Sequence, residues 1–177
     1  VRMIALLPGV RARFWLDELP DLTYPLVEMM ERSIAVRQSP AGDKRCAAVE
    51  LVTRAGHPSS YGLLGGSYTP QQTSRLVLQV AHSTAELDRV EWALVGRSDE
   101  VYAGIFGEDA DSVLDAVEGA VAEHKLAAGV LRLDHAAHGV VGSSRSFFAK
   151  LGRIVVALLA RPDALWSDDE LAELLRQ

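Results

Sequence analysis

With 177 residues, 49% apolar and 24% charged, the chain has the composition of a globular protein long enough to bury a sizeable core. Its 18 basic and 24 acidic side chains leave a net charge of −6, which argues against a nucleic-acid binder held mainly by phosphate neutralisation. Cys46 is the only cysteine, which excludes an intrachain disulfide, and no apolar run approaches the ~20 residues of a membrane-spanning helix.

Val1 to Leu7 is apolar but ends at Pro8, too short for a signal-peptide core, so a cytoplasmic location is expected. Residues 1–45 read as an N-terminal helical or irregular segment, with Phe14, Trp15 and Leu16 packing. Within it a helix is predicted near 23–37, with Pro25 in the first turn and Leu26, Val27, Met30 and Ile34 on one face. Ser39 to Asp43 is a turn. An α+β domain with a C-terminal helix follows over 46–177.

Ala47 to Arg54 reads as a strand with Val49 and Leu51 inward, and Gly56 to Ser60 as a turn. Tyr61 to Thr69 is a second strand, kinked or bulged at Gly65-Gly66. Arg75 to Ser83 alternates as a half-buried strand. Asp88 to Arg97 alternates too, Val90, Trp92 and Leu94 against Arg89, Glu91 and Ala93, with a short helix at 84–92 as the competing assignment. Val101 to Phe106 is a short strand or packed connector.

A helix is expected over 108–126, striped by Val113, Val117 and Val121 and ended by Ala127 to Gly129. A strand follows over 130–137, with Leu131, Leu133 and His135 on one face and Arg132 and Asp134 on the other. The apolar spacing from Ser144 to Ala160 is that of a core-facing helix. Ser167 and Glu170 form a capping box for a last helix that docks Leu171, Leu174 and Leu175. Strands early and helices late predict an α+β fold, a small mixed sheet with helices packed on one face.

The junction at Gly142, Ser143 and Ser144 opens a helix. Free amides and the positive helix end beside Arg145 suit a phosphate or other anion, and a plain serine cap is the competing reading. Asp134, His135 and His138 invite a metal, but a strand points 135 and 138 to opposite faces and no third ligand is spaced nearby. His57 and His82 lie near serines without a nucleophile elbow or an evident third member. Cys46 has no activating motif and reads as a buried thiol. Gly62, Gly65 and Gly66 lack the lysine and helix of a phosphate loop. No cofactor or metal is expected.

Two motifs resemble translation elongation factor G, in its domain IV. One is the strand holding Gly65-Gly66 and, shortly after, Pro70. The other is His138, Val140, Ser143, Ser144, Phe148 and Gly152, similar to the family's His-x-Val-x-Ser-Ser turn with Phe and Gly in the helix behind it. The chain departs by one extra residue between His138 and Ser143, one between Gly66 and Pro70, and Gly142 in place of an acidic residue. The likeness spans about residues 47–160. It implies the ribosomal protein S5 domain 2-like fold, with a left-handed β-α-β unit. Val141-Gly142-Ser143-Ser144 also resembles the phosphate loop of the galactokinase and homoserine kinase superfamily.

These likenesses set three expectations. The first is a non-enzymatic interaction module for the ribosome, RNA or protein, binding through His138, Gly142, Ser143, Ser144 and Arg145. The second is a small phosphate- or nucleotide-binding enzyme using the Gly142–Arg145 helix start. The third is a structural homo-oligomer joined through Trp15, Trp92 and Trp166, aromatic residues being enriched at interfaces.

Overall fold

A computed structural model describes residues 1–6, 9–22, 28–38, 42–53, 60–83, 88–161 and 166–176. Eight strands form one mixed sheet: β1 (Arg2–Leu6), β2 (Val10–Leu16), β3 (Glu28–Ala35), β4 (Arg45–Thr53), β5 (Ser60–Pro70), β6 (Arg75–His82), β7 (Val101–Ala103) and β8 (Gly129–Gly139). The order across it is β1-β2-β4-β5-β8-β6-β3, with β7 paired to the end of β8. Only β6 and β8 run parallel, and α1 (Gly107–His124) lies between them in sequence. Helices α2 (Arg145–Ala160) and α3 (Asp168–Leu174) follow. The fold is α+β, with the helices packed against the sheet.

The described part of residues 1–45 is built of strands rather than the helical or irregular segment that the sequence suggests. It supplies β1, β2 and β3 to the same sheet. The predicted helix at 23–37 is replaced over its described part by β3, paired antiparallel with β6. Met30 and Ile34 explain the error: a spacing of four residues puts two side chains on one face of a helix and equally on one face of a strand. Alternating exposure from Met30 to Ala35 shows the period of two. Pro25, Leu26, Val27, the first half of the turn at 39–43 and His57 lie outside the described residues.

Strands β4, β5, β6 and β8 and all three helices fall where the apolar patterns place them. The exception is 88–97, expected as a strand. It holds one isolated bridge, Arg89 to Tyr102, and then a 3-10 turn at Gly96–Ser98. Turns at 91–92 break its alternation, so Val90, Ala93 and Val95 go inward while Trp92 stays exposed.

Both faces of the sheet are covered. Ala12, Phe14, Val49, Leu51, Leu64, Leu78 and Leu131 pack on the helices. Trp15, Ala48, Val52, Tyr61, Leu63 and Ala137 form a second cluster on the other face, roofed by Val90, Ala93 and Val95. Strand β4 is therefore buried on both sides rather than only at Val49 and Leu51. Cys46, at its start, is half-buried.

The register between β5 and β8 shifts at Gly65/Gly66. Gly65 faces His135 and Gly66 faces Leu133, so Asp134 is the extra residue of a bulge. The bulge flips the faces of β8. Leu131 and Leu133 point to the helices, but so does Ala136, while Ala137 joins the opposite cluster. His135 therefore does not share a face with Leu133, contrary to strict alternation. Glycine is required here: a Cβ on Gly66 would lie 2.7 Å from Leu133 Cα and collide with the Arg132 carbonyl. Gly66→Ala is expected to lower stability by about 3 kcal/mol, the upper end for overpacking, read as an earlier midpoint in urea unfolding.

Candidate functional site

Strand β8 ends at Gly139 and turns through residues 140–143 into α2, so the sequence-predicted site lies at the end of the sheet where two helices begin. Ser144 is the N-cap of α2, its Oγ accepting from the Phe147 amide at 3.3 Å. Ser143 is turned inward: its hydroxyl donates to the Tyr61 carbonyl at 2.7 Å and accepts from the Gly139 amide at 2.8 Å. Gly142 accepts through its carbonyl from the Tyr61 amide at 3.0 Å.

The turn does hold an anion, and the chain provides it. Asp99 accepts from the Gly142 amide at 2.9 Å and from the Val141 amide at 3.2 Å. A Cβ on Gly139 would collide with this carboxylate, which explains the glycine there. Arg145 pairs with Glu108, in the first turn of α1.

His138 is buried, and its Nδ1 donates to the Gly104 carbonyl at 2.8 Å, a bond that requires the proton on Nδ1. Its ring stacks against Phe106 at 4.9 Å and lies 6.3 Å from Tyr102. The binding residues expected from sequence thus come together at one end of the molecule, but Ser143 and His138 are tied into the fold itself.

His135 and His82 do not join them. His135, half-buried on the opposite face, bonds Asp134 at 2.8 Å. Burial raises the Asp134 carboxyl, but hydrogen bonds and charge from His135 and Arg132 outweigh this and hold it below its ordinary value. His82, at the end of β6, places Nε2 3.3 Å from Glu28 Oε2. Among the described residues no cluster of three or more histidine, cysteine or acidic side chains has metal-binding geometry. No helix among them is long and apolar enough to cross a membrane.

A second polar cluster escapes sequence reasoning. Glu50 of β4 is fully buried on the face opposite the helices. Its Oε1 accepts from the Leu94 amide at 2.7 Å and from the Tyr61 hydroxyl at 3.1 Å. Its Oε2 faces Arg13, the residue directly across on β2, at 3.5 Å. Arg13 also lies 5.4 Å from the Trp15 ring and 5.5 Å from the Trp92 ring. Arg11 donates to the Leu94 carbonyl at 2.8 Å. Both backbone groups of Leu94 are thus held by side chains of the sheet, which fastens the 91–95 segment over the second apolar cluster. The one signal in the sequence was a lone glutamate inside the apolar run Ala47 to Val52.

Burial raises the Glu50 carboxyl above its ordinary value, against the Leu94 amide, Arg13 and Tyr61, which favour the charged form. Burial, with Glu50 beside it, likewise pushes the Tyr61 hydroxyl well up. Chemically this is a structural clasp: the carboxylate is sealed from solvent. No family model, curated protein sequence or solved structure matches this chain.

Glu50→Ala is expected to cost about 3–5 kcal/mol, because the Leu94 amide and Tyr61 hydroxyl lose their acceptor. Intrinsic fluorescence should change with it as Trp92 loses its seat. Glu50 also sets a pH dependence. Folding raises its proton affinity, so its contribution is full below the ordinary value of 4.5 and is lost as pH rises through the raised folded value. Glu170 runs the other way. Hydrogen bonds from Ser167 and Arg161 hold it at about 2, so its contribution is present above 4.5 and lost as pH falls toward 2. The difference between wild type and Glu50→Gln in urea titrations at several pH values isolates the first effect. The wild type should lose stability relative to Glu50→Gln as pH rises.

Asp99→Ala empties the anion seat at Val141 and Gly142. Millimolar sulfate should then raise the melting temperature of the variant and leave the wild type unchanged.

Proposed function

We propose that this chain is a non-enzymatic interaction module whose contact face is the end of the sheet at the β8–α2 turn. The observation that carries this reading is the exposure of Phe106, which lies against the His138 ring, and of Val140 and Val141 in the turn that follows β8. Large apolar side chains gathered at one end of a molecule mark a surface that partners cover. The flanking charges are mostly acidic, with Asp99, Glu100, Glu108 and Asp109 against Arg145. That balance favours a protein surface over a nucleic-acid backbone. Arg2, Arg11 and Arg13 do not offset it, since Arg2 binds the Trp166 carbonyl and Arg11 and Arg13 serve the Glu50 clasp.

The likeness to elongation factor G makes the ribosome the partner to try first. The residues that carry the likeness have packing tasks here. Gly66 admits the bulge, Phe148 is fully buried, and Gly152 lets α2 approach Val117 of α1. This supports a likeness of architecture, from which function does not follow automatically. The phosphate-enzyme reading is weakened by Asp99, which already accepts from the turn amides. The homo-oligomer reading keeps only Trp92, because Trp15 and Trp166 are buried in the chain's own core.

Co-sedimentation with purified ribosomes across a salt series tests this proposal. Binding through the apolar face should persist as salt rises and be lost in Val140→Asp/Val141→Asp, whose melting temperature should stay near wild type. Binding that fades with salt and disappears in Arg145→Glu would move the contact to charge. No binding at low salt would reject the ribosome as partner.

A further inference from the structure

The outer side of the helical layer carries a cleft of about 590 Å³ where the second half of α1, the middle of α2 and the end of α3 meet. Its volume falls in the range of small-molecule sites, roughly 300–1,000 Å³. It lies outside the proposed contact face and shares no residue with it.

Two features set the cleft apart from an incidental groove. The first is Gly119, in the interior of α1 on the cleft wall, where glycine destabilises a helix relative to alanine. Packing does not require it: a Cβ at this position would meet nothing within 4 Å. Gly152 is the contrast, since a Cβ there would press on Val117 at 3.2 Å. Glycine at 119 therefore leaves space rather than allowing contact.

The second feature is charge. Lys150 and Arg153 line the cleft against a single carboxylate, Glu123, in a chain of net charge −6. Among the described residues Arg153 has no ion-pair partner. Lys150 donates to the Leu175 carbonyl at 2.7 Å and has further donors to offer. Nearby acids on α3 are already engaged, Glu170 by Arg161 and Glu173 by Arg176. The uncompensated charge is positive, over a floor that includes Ile154 and Leu174.

We propose that this cleft binds a small organic anion, its apolar body seated beside Gly119 and Leu174 and its acidic group held by Lys150 and Arg153. Guanidinium and ammonium groups side by side suit a carboxylate or a phosphate ester.

The test is a ¹⁵N-resolved NMR titration of the whole chain with benzoate, phenyl phosphate and inorganic phosphate. Saturable shifts at the amides around Gly119, Lys150, Arg153 and Leu174 are expected with one or both aromatic anions, and the stronger of the two identifies the acidic group. Arg153→Glu should weaken that binding at least tenfold. Gly119→Leu should abolish it by filling the cleft, while Gly119→Ala, which fits the open space, should raise thermal stability and confirm that the helix tolerates a side chain there. No localised shift with either aromatic anion, a response equal to that of inorganic phosphate, or binding unchanged in Arg153→Glu would overturn the proposal.

Discussion

The close approach of Gly66 to the backbone of Arg132 and Leu133 is the constraint on which the arrangement of the sheet depends. It lets β8 carry an extra residue, Asp134, and still pair with β5 on both sides of it, from Gly129 to His138. On its other side β8 changes partner near the same point. Its first half pairs with β6, and its end pairs with β7. The flip in side-chain direction matches that change. Before the bulge, β8 gives Leu131 and Leu133 to the helical core; after it, Ala137 goes to the second cluster and His138 reaches the Gly104 carbonyl. Without the bulge, either Leu133 or Ala136 would leave the helical face, because slipping one residue reverses every side chain.

A sheet covered on both faces has little room for charge, which makes Glu50 informative. Burying a carboxylate costs several kcal/mol unless neighbours repay it. Here repayment comes from a backbone amide, a hydroxyl and an arginine on three different segments. An apolar residue at 50 would fill the same space, but it would leave the Leu94 amide without its acceptor. The roof over the second cluster has no ladder beyond one bridge to β7, so past residue 90 its position depends on side chains from the sheet. The polar cluster thus defines where an irregular segment sits, a task that apolar contact alone performs poorly because it is not directional.

The elements legible in the sequence were those whose period had one interpretation. Apolar residues at 147, 148, 151, 154, 155, 158 and 159 repeat as a helix does, and the Ser167–Glu170 capping box formed as its spacing implied. Gly65-Gly66 announced the bulge because paired glycines inside a strand have few other uses. What failed had a degenerate or absent local signal. Met30 and Ile34 satisfied both periods, and β3 became a strand through its pairing with β6, more than forty residues away. At 88–97 the alternation was real, but only 88–90 bond β7, and the turn at 91–92 ends the pairing there. At the candidate site, the sequence suggested a bound anion or a serine cap at the Gly142–Arg145 helix start; it gave no sign that Asp99 occupies the turn amides, since a contact across 43 residues leaves no local trace.

That internal anion bears on what kind of protein this is. A turn that keeps its amides for a ligand pays an enduring cost in unsatisfied donors, and enzymes that bind phosphate accept it. Here Asp99, Ser143 and the Tyr61 backbone close the turn on itself and satisfy its donors internally. The same bonds that occupy the Val141 and Gly142 amides leave Val140 and Val141 exposed at the tip, and under the proposed reading a surface fixed before its partner arrives loses less entropy on binding.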